Sequence, residues 1–493
     1  MNKKNISRVI GEGTYGCVHK PSLTCKKKRI NYDNKISKVM KTKEATIELK
    51  EYKNIAKVDE NKQFYLGNPT KCKLDINEQN VYSIEKCKNS DDFFENIEKM
   101  SILVMEDGGK NMEEFADKMQ KAEVTKENKD KIERFWIEAH RILRGLKVFI
   151  DNDIVHHDLK PQNIVYNELT HRINFIDFGL MTSKENIIKK TRNSDYYMAK
   201  YHWSYPFEIR FMNKKKYMDF AKQTEKEKQK YYYDIISGFK ANEDVSSAKS
   251  MKTFFYFVSK AHMTHREHEI LMNLFFEDFY HMLVHELNDK DNYSVFVDKC
   301  INTIDIYGTG IAFFYMLSRS LHLMSSTMIG ELSELFYYMV TPDINKRYNI
   351  EMVLTRYETI LKNGGLLNKY NLHFENHEIM DGVSIPQGIS MAIQSVKRRN
   401  LSISKQDRDL VVLNATGRGV KRTESRSDSK RFIDSLSRIS SAKLGNPTTN
   451  PCPVGKEYKK TTRRCVNICK DGYERNADFK CIRGRNKTAK NRS

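Results

Sequence analysis

The run His156-His157-Asp158-Leu159-Lys160-Pro161-Gln162-Asn163 is followed, 14 residues after Asn163, by Asp177-Phe178-Gly179. No other feature restricts this chain so narrowly. Phosphoryl transfer requires a carboxylate near the attacking hydroxyl, a cation for the transferring group and oxygen ligands for Mg²⁺. Asp158, Lys160 and the pair Asn163 and Asp177 supply these in turn. Any one of them alone reads as a turn or loop cap, because Asp and Asn favour turns. Only the spaced set points to chemistry.

The residues upstream suit the same task. Ile10-Gly11-Glu12-Gly13-Thr14-Tyr15-Gly16-Cys17-Val18 places three glycines between two expected strands, where backbone amides can lie close over phosphates. Lys38 is expected to face inward from a strand at Lys35 to Met40 and to pair with phosphate oxygens. Its carboxylate partner belongs on the next helix, near residues 42–58. Glu48 fits best because Leu49, Tyr52 and Ile55 form that helix's apolar stripe, with Glu44 and Glu51 as alternatives. Short apolar runs at Ile6–Val18, Lys35–Met40, Val81–Ile84 and Ile102–Met105 read as strands. From Phe135 the spacing turns helical through Ile150, and further helices are expected at Glu269–Leu283 and from Ile304 to about Ile360.

Together these residues resemble the eukaryotic-type protein kinase superfamily over about residues 6–360. That resemblance implies an α+β, two-lobed protein kinase fold. It also implies that Ile10, Gly11, Gly13, Gly16 and Val18 cover ATP while Lys38 and Glu48 anchor its phosphates. Met105 and Glu106 fall at the hinge between lobes, Asp158 is the expected catalytic base beside Lys160, and Asn163 and Asp177 are the expected magnesium ligands. Lys160-Pro161 resembles the serine/threonine enzymes, so protein serine or threonine hydroxyls are the expected acceptors. Pro206-Phe207-Glu208 resembles the end of the activation segment, although Tyr205 stands where the family has alanine and Phe207 is inserted. Asp305 resembles the aspartate buried beneath the catalytic loop, and Arg347 the arginine that pairs with Glu208.

Two departures carry expectations of their own. His157 stands where many of these enzymes carry an arginine that grips a phosphorylated loop, and neutral imidazole grips phosphate poorly. Activity should therefore depend little on phosphorylation at Thr191, Ser194, Tyr196 or Tyr197. Between Glu208 and Asp305 lie 96 residues, read as a helical insertion (209–304) that either selects partners or caps the large lobe.

Charge and cysteine separate the C-terminal part from the rest. Net charge is +21, of which residues 386–493 hold +17 and residues 1–385 only +4. A basic Ser-rich linker (386–449) and a Cys-rich end (450–493) are expected to attract nucleic acid or acidic virion partners. Ser402, after Lys397-Arg398-Arg399, is a candidate self-phosphorylation site. Cys452, Cys465, Cys469 and Cys481 read as a zinc or disulfide framework, whereas Cys17, Cys25, Cys72, Cys87 and Cys300 read as scattered. The cysteine module resembles those appended to proteins of large cytoplasmic DNA viruses, which implies packaging in a virion. With no signal-peptide core and no run of 18 apolar residues, the expectation is a cytosolic protein without a membrane span. The domains expected are a kinase domain at 1–385, divided near residue 105, followed by the linker and the cysteine module.

Overall fold

The computed structural model describes residues 6–13, 16–193, 203–241, 246–259, 265–288 and 291–381, together with the short strands 456–459, 464–467, 473–475 and 481–483. Ser194, Tyr196, Tyr197, Ser402, Cys452 and Cys469 lie outside the described residues. Two compact units divide the chain, Met1–Asp434 and Ser435–Ser493. The second contains two antiparallel hairpins, Lys456–Lys459 with Arg464–Asn467 and Tyr473–Arg475 with Cys481–Arg483.

The first unit is mixed α+β, with a sheet-rich N-terminal part and a helical remainder. Strands β1 (Arg8–Gly13), β2 (Gly16–Lys20), β3 (Lys35–Lys41), β4 (Thr70–Cys72) and β5 (Met100–Glu106) form one sheet in the order β1-β2-β3-β5-β4. Helix α1 (Thr42–Val58) covers one face because Ala45, Glu48, Tyr52 and Ile55 recur at helical spacing and are buried there. Met40 and Leu103 from the sheet meet Ala45, with Leu49 and Met105 alongside.

The opposite face of the sheet has its own cover. Cys17, Val39, Ile102 and Val104 pack against Leu74, Ile84, Cys87 and Phe93 from the 73–99 segment. Within that segment Val81–Ile84 belongs to a helix, α2 (Glu78–Ile84), and not to the expected strand. The Asn77 side chain accepts the Asn80 amide and caps the first turn, a local bond that favours helix over ladder. Helix α3 (Ser90–Glu95) follows. Four of the five cysteines expected to be scattered are paired: Cys17 with Cys87 and Cys25 with Cys72. Cys300, the fifth of these, is free and buried. Sequence spacing could not foresee these pairs, because separations of 70 and 47 residues are closed by the sheet and not by local chain.

The remainder begins with β6 (Lys110–Asn111), α4 (Met112–Gln120) and α5 (Lys126–Asp151). Next come β7 (Ile154–Val155), β8 (Ile164–Asn167), β9 (Arg172–Phe175), β10 (Thr182–Ser183) and α6 (Lys184–Arg192). Helix α5 buries Phe135, Trp136, Ala139, Ile142, Leu143, Leu146 and Phe149. After α7 (Lys214–Ala221), α8 (Glu225–Lys240), α9 (Ser246–Ser259) and α10 (His265–His281), the helix α11 (Tyr293–Ser320) runs through the middle of this part. The span Tyr293–Leu323 has the length and apolarity to cross a bilayer, but 94% of its most apolar window is buried inside the molecule, as in a core helix. Helices α12 (Ser326–Val340), α13 (Ile350–Asn363) and α14 (Leu366–Lys369) follow, and β11 (Leu372–Glu375) pairs with β12 (Glu378–Asp381).

Residues 209–304 are built into this core. Phe257 of α9 stacks on Trp203 at 4.1 Å and lies 4.9 Å from Tyr315 of α11. Phe279 of α10 meets the inserted Phe207 edge-on at 4.4 Å. On α10, Asp278 accepts hydrogen bonds from Tyr337 and Thr341 and pairs with Lys346 at 2.6 Å. The neighbouring Arg347 pairs with Glu208, both side chains fully buried, and its remaining donors reach the Thr341 carbonyl at 2.8 and 3.0 Å. Removing one partner of such a pair leaves a charge in the core. Arg347→Ala should therefore lower the unfolding free energy by about 3–5 kcal/mol in urea titrations; a loss below about 1 kcal/mol is what a solvated pair would give.

Candidate functional site

A cleft of about 630 Å³ opens beneath β1 and β2. Of the residues nominated by sequence, Ile10, Gly11, Gly13, Gly16, Val18, Lys38, Glu48, Met105, Lys160, Asn163 and Asp177 line it. Glu106 points elsewhere and pairs with Lys35 at an exposed position, leaving its backbone in the β5 ladder. Thr14 and Tyr15, at the tip of the glycine segment, lie outside the described residues. Gly16 is required by packing, since a Cβ there would come within 2.6 Å of the Val39 carbonyl oxygen.

The Lys38 ammonium lies 2.9 Å from Glu48 Oε2 and 3.0 Å from Asp177 Oδ1. Burial works against its charge, but Asp177 and Glu48 together outweigh burial and hold its pKa above the ordinary lysine value. Desolvation raises the Asp177 carboxyl in turn, and Lys38 more than offsets it, so Asp177 is held below the usual carboxylate range. Glu44 and Glu51, the alternatives to Glu48, do not reach this lysine: Glu48 alone of the three is buried, on the stripe of α1. Phe178 packs edge-on to Tyr52 of α1 at 5.1 Å, so α1 and the segment bearing Asp177 are held by apolar as well as ionic contact.

On the far wall, Lys160 Nζ donates to both Asp158 oxygens at 2.8 and 2.9 Å. Asn163 Nδ2 donates to the Asp158 carbonyl at 2.7 Å and to its carboxylate at 2.8 Å, which leaves the Asn163 amide oxygen for another partner. The Ile176 amide donates to the Asn163 carbonyl at 3.0 Å, and β8 pairs with β9, so Asn163 and Asp177 are neighbours through backbone. Carboxylate and amide oxygens side by side are the hard donors that Mg²⁺ prefers. The set therefore suits a magnesium-bound triphosphate, with Asn163 and Asp177 as the holding residues.

Two of the ten non-glycine residues with positive φ among the described residues lie here. His157 and Asp177 have φ of +67° and +61°, in the left-handed region, at a cost on the order of 1–3 kcal/mol each that persists only where surroundings enforce it. Asp305 enforces the first. Its carboxylate accepts the His156 amide at 2.6 Å and the His157 amide at 2.9 Å, and burial pushes its carboxyl upward despite those donors. Gly308, one turn along α11, lets the helix touch this loop, because a Cβ there would collide with the Leu159 carbonyl. Tyr205 adds a contact that sequence reasoning missed: its hydroxyl donates to the His157 carbonyl at 2.7 Å. The tyrosine in place of alanine before Pro206 was the available signal. Thr191 is fully buried and donates to the Ile188 carbonyl, so its hydroxyl is not presented for modification.

His157 is buried and its pKa falls from 6.5 to about 4, through desolvation first and then the nearby His156 and Lys190. His19 reaches about 4 by burial as well, although Glu12 pulls it upward. In both cases the unfolded imidazole takes a proton that the folded one refuses. The stabilisation is complete above about pH 6.5 and is lost as pH falls toward about 4, amounting to about 2 kcal/mol per histidine at pH 5. Urea titrations at about pH 7.5 and about pH 5 should show that loss, with His157→Gln reducing it by about 2 kcal/mol. An unchanged pH dependence in His157→Gln means that His157 protonates as an ordinary imidazole.

No protein-family model and no curated protein sequence matches this chain.

Proposed function

We propose that residues 1–385 form a two-lobed protein kinase fold and transfer the γ-phosphoryl group of ATP to serine or threonine hydroxyls of proteins. One observation carries this reading: Lys38, bridged to Glu48 and Asp177 at 2.9 and 3.0 Å, shares a cleft with Asn163 and Lys160, both bonded to Asp158. A scaffold that had lost the chemistry has no use for an ammonium held between two carboxylates.

The residues divide the work by position. Ile10, Val18 and Met105 supply apolar walls for the adenine, and the glycines bring backbone amides near the phosphates. Lys38, released from Asp177, holds phosphate oxygens while Glu48 keeps it oriented. Bound magnesium, held by Asn163 and Asp177, supplies charge neutralisation at the phosphates. Asp158 accepts the proton of the attacking hydroxyl, and Lys160 balances the charge that builds on the transferring group. The +17 tail supports acidic or nucleic-acid partners as a second, separate property of residues 386–493.

Transfer of labelled phosphate from ATP to a panel of proteins, with identification of the modified amino acid, tests the reading. Asp158→Asn should bind MgATP as the wild type does and lose about 10²–10⁴ in turnover. Wild-type protein that neither binds MgATP nor labels any acceptor, or an Asp158→Asn protein of undiminished rate, overturns it.

A further inference from the structure

Strand β2 does two jobs on alternate residues, because successive side chains leave a strand on opposite faces. Val18 lines the cleft, whereas Cys17 and His19 are buried on the other face. Cys17 is bonded there to Cys87. Its cross-strand partner Glu12 accepts the Lys88 amide at 2.6 Å and lies 3.4 Å from the Lys88 ammonium. His19 Nε2 is 3.3 Å from Cys87 Sγ. Both strands of the glycine hairpin are thus held at one place by residues 87 and 88, and the proposed phosphoryl transfer uses none of these contacts. A cavity of about 340 Å³ lined by Cys17, Cys87, Glu12 and Lys88 adjoins the bond, although both cysteines are themselves buried. The second disulfide, Cys25–Cys72, joins the segment after β2 to β4 and leaves the hairpin untouched.

We propose that the Cys17–Cys87 pair is a thiol–disulfide modification site that sets how firmly the glycine hairpin is held over the nucleotide, the oxidised form being the tighter binder. Its effect on nucleotide rests on the ATP reading above; the clamp on the hairpin does not. In reduction, a thiolate of a small dithiol attacks one sulfur and expels the other as a thiolate, giving a mixed disulfide. The second thiol of the reagent then displaces the remaining cysteine. Two electrons and two protons pass to the pair, and the reagent leaves as a cyclic disulfide. Re-oxidation by a small-molecule disulfide reverses both exchanges and releases two small thiols. His19, kept neutral by burial, accepts a hydrogen bond from the reduced Cys87 thiol and supplies no charge to activate it.

The full chain, oxidised or treated with dithiothreitol, tests this through hydrogen exchange of residues 8–20 and through MgATP affinity. Reduction should raise exchange across β1 and β2 by about tenfold or more and weaken MgATP binding by about three- to tenfold. Cys87→Ser should behave as reduced under both conditions, while Cys72→Ser should keep the redox response. If Cys87→Ser does not fold, wild type and Cys72→Ser with and without dithiothreitol carry the comparison. Exchange that ignores the redox state overturns the proposal, as does MgATP affinity that stays constant while exchange changes. A reduced chain isolated with one zinc lost on Cys17→Ser also overturns it, because the ligand atoms of Cys17, His19 and Cys87 lie within 4.8 Å of one another. A hairpin that follows the redox state in a chain binding no nucleotide supports the clamp and refutes the proposed function.

Discussion

The sheet, helix α1 and the segment after β9 are held in register by one ammonium. Lys38 reaches from β3 to Glu48 on α1 and to Asp177 beyond β9, a bridge across 139 residues of sequence. Lys38 and Glu48 are the buried members, with side chains 13% and 4% exposed, so an unpaired charge on either costs more than it contributes, whereas Asp177 at 43% keeps partial contact with solvent. Coupling of this kind turns three elements that pack independently into one arrangement. Tyr52 and Phe178 extend the coupling with apolar contact, so a shift of α1 disturbs Asp177 through two routes.

A similar logic explains how His157 keeps its left-handed backbone. Asp305 binds two consecutive amides from below, and Tyr205 holds the His157 carbonyl from the segment that leads to Glu208. Glu208 is in turn buried against Arg347, and Phe207 against α10. The loop bearing Asp158 is therefore gripped by α11, by the segment ending at Glu208 and, through Phe207, by residues of the 209–304 segment. That last link favours a structural part for those 96 residues: they complete the packing around Arg347 through Asp278.

What was legible in the sequence divides along physical lines. The grouping of Asp158, Lys160, Asn163 and Asp177 was legible because the expected chemistry restricts both residue type and spacing, and the structure brings these side chains together. Glu48 was legible because a helical stripe leaves few positions for a buried carboxylate. Helix α5 announced itself by the spacing from Phe135 to Ile150, although it begins earlier, where Thr125 caps the Asn128 amide. The cover over the outer face of the sheet was not legible. Four residues at 81–84 carry too little periodicity to separate strand from helix, and an asparagine cap decided the outcome. Cysteine pairing was hidden for a different reason, since it depends on which strands become neighbours and not on spacing along the chain.

The two faces of the sheet consequently differ in what governs them. Toward α1, the alternation along β3 presents Lys38 and Met40, and the arrangement is set by charge and by the fit of Ala45 beneath Leu103. Toward α2 and α3, the same alternation presents Ser37 and Val39, and burial is reinforced by two covalent bonds. Because β2 contributes Val18 to the first environment and Cys17 to the second, any change in the outer cover is transmitted to the cleft through adjacent residues of one strand. A strand cannot move one face without the other, and this rigidity lets a bond on the far side of the sheet act on the glycines above the cleft.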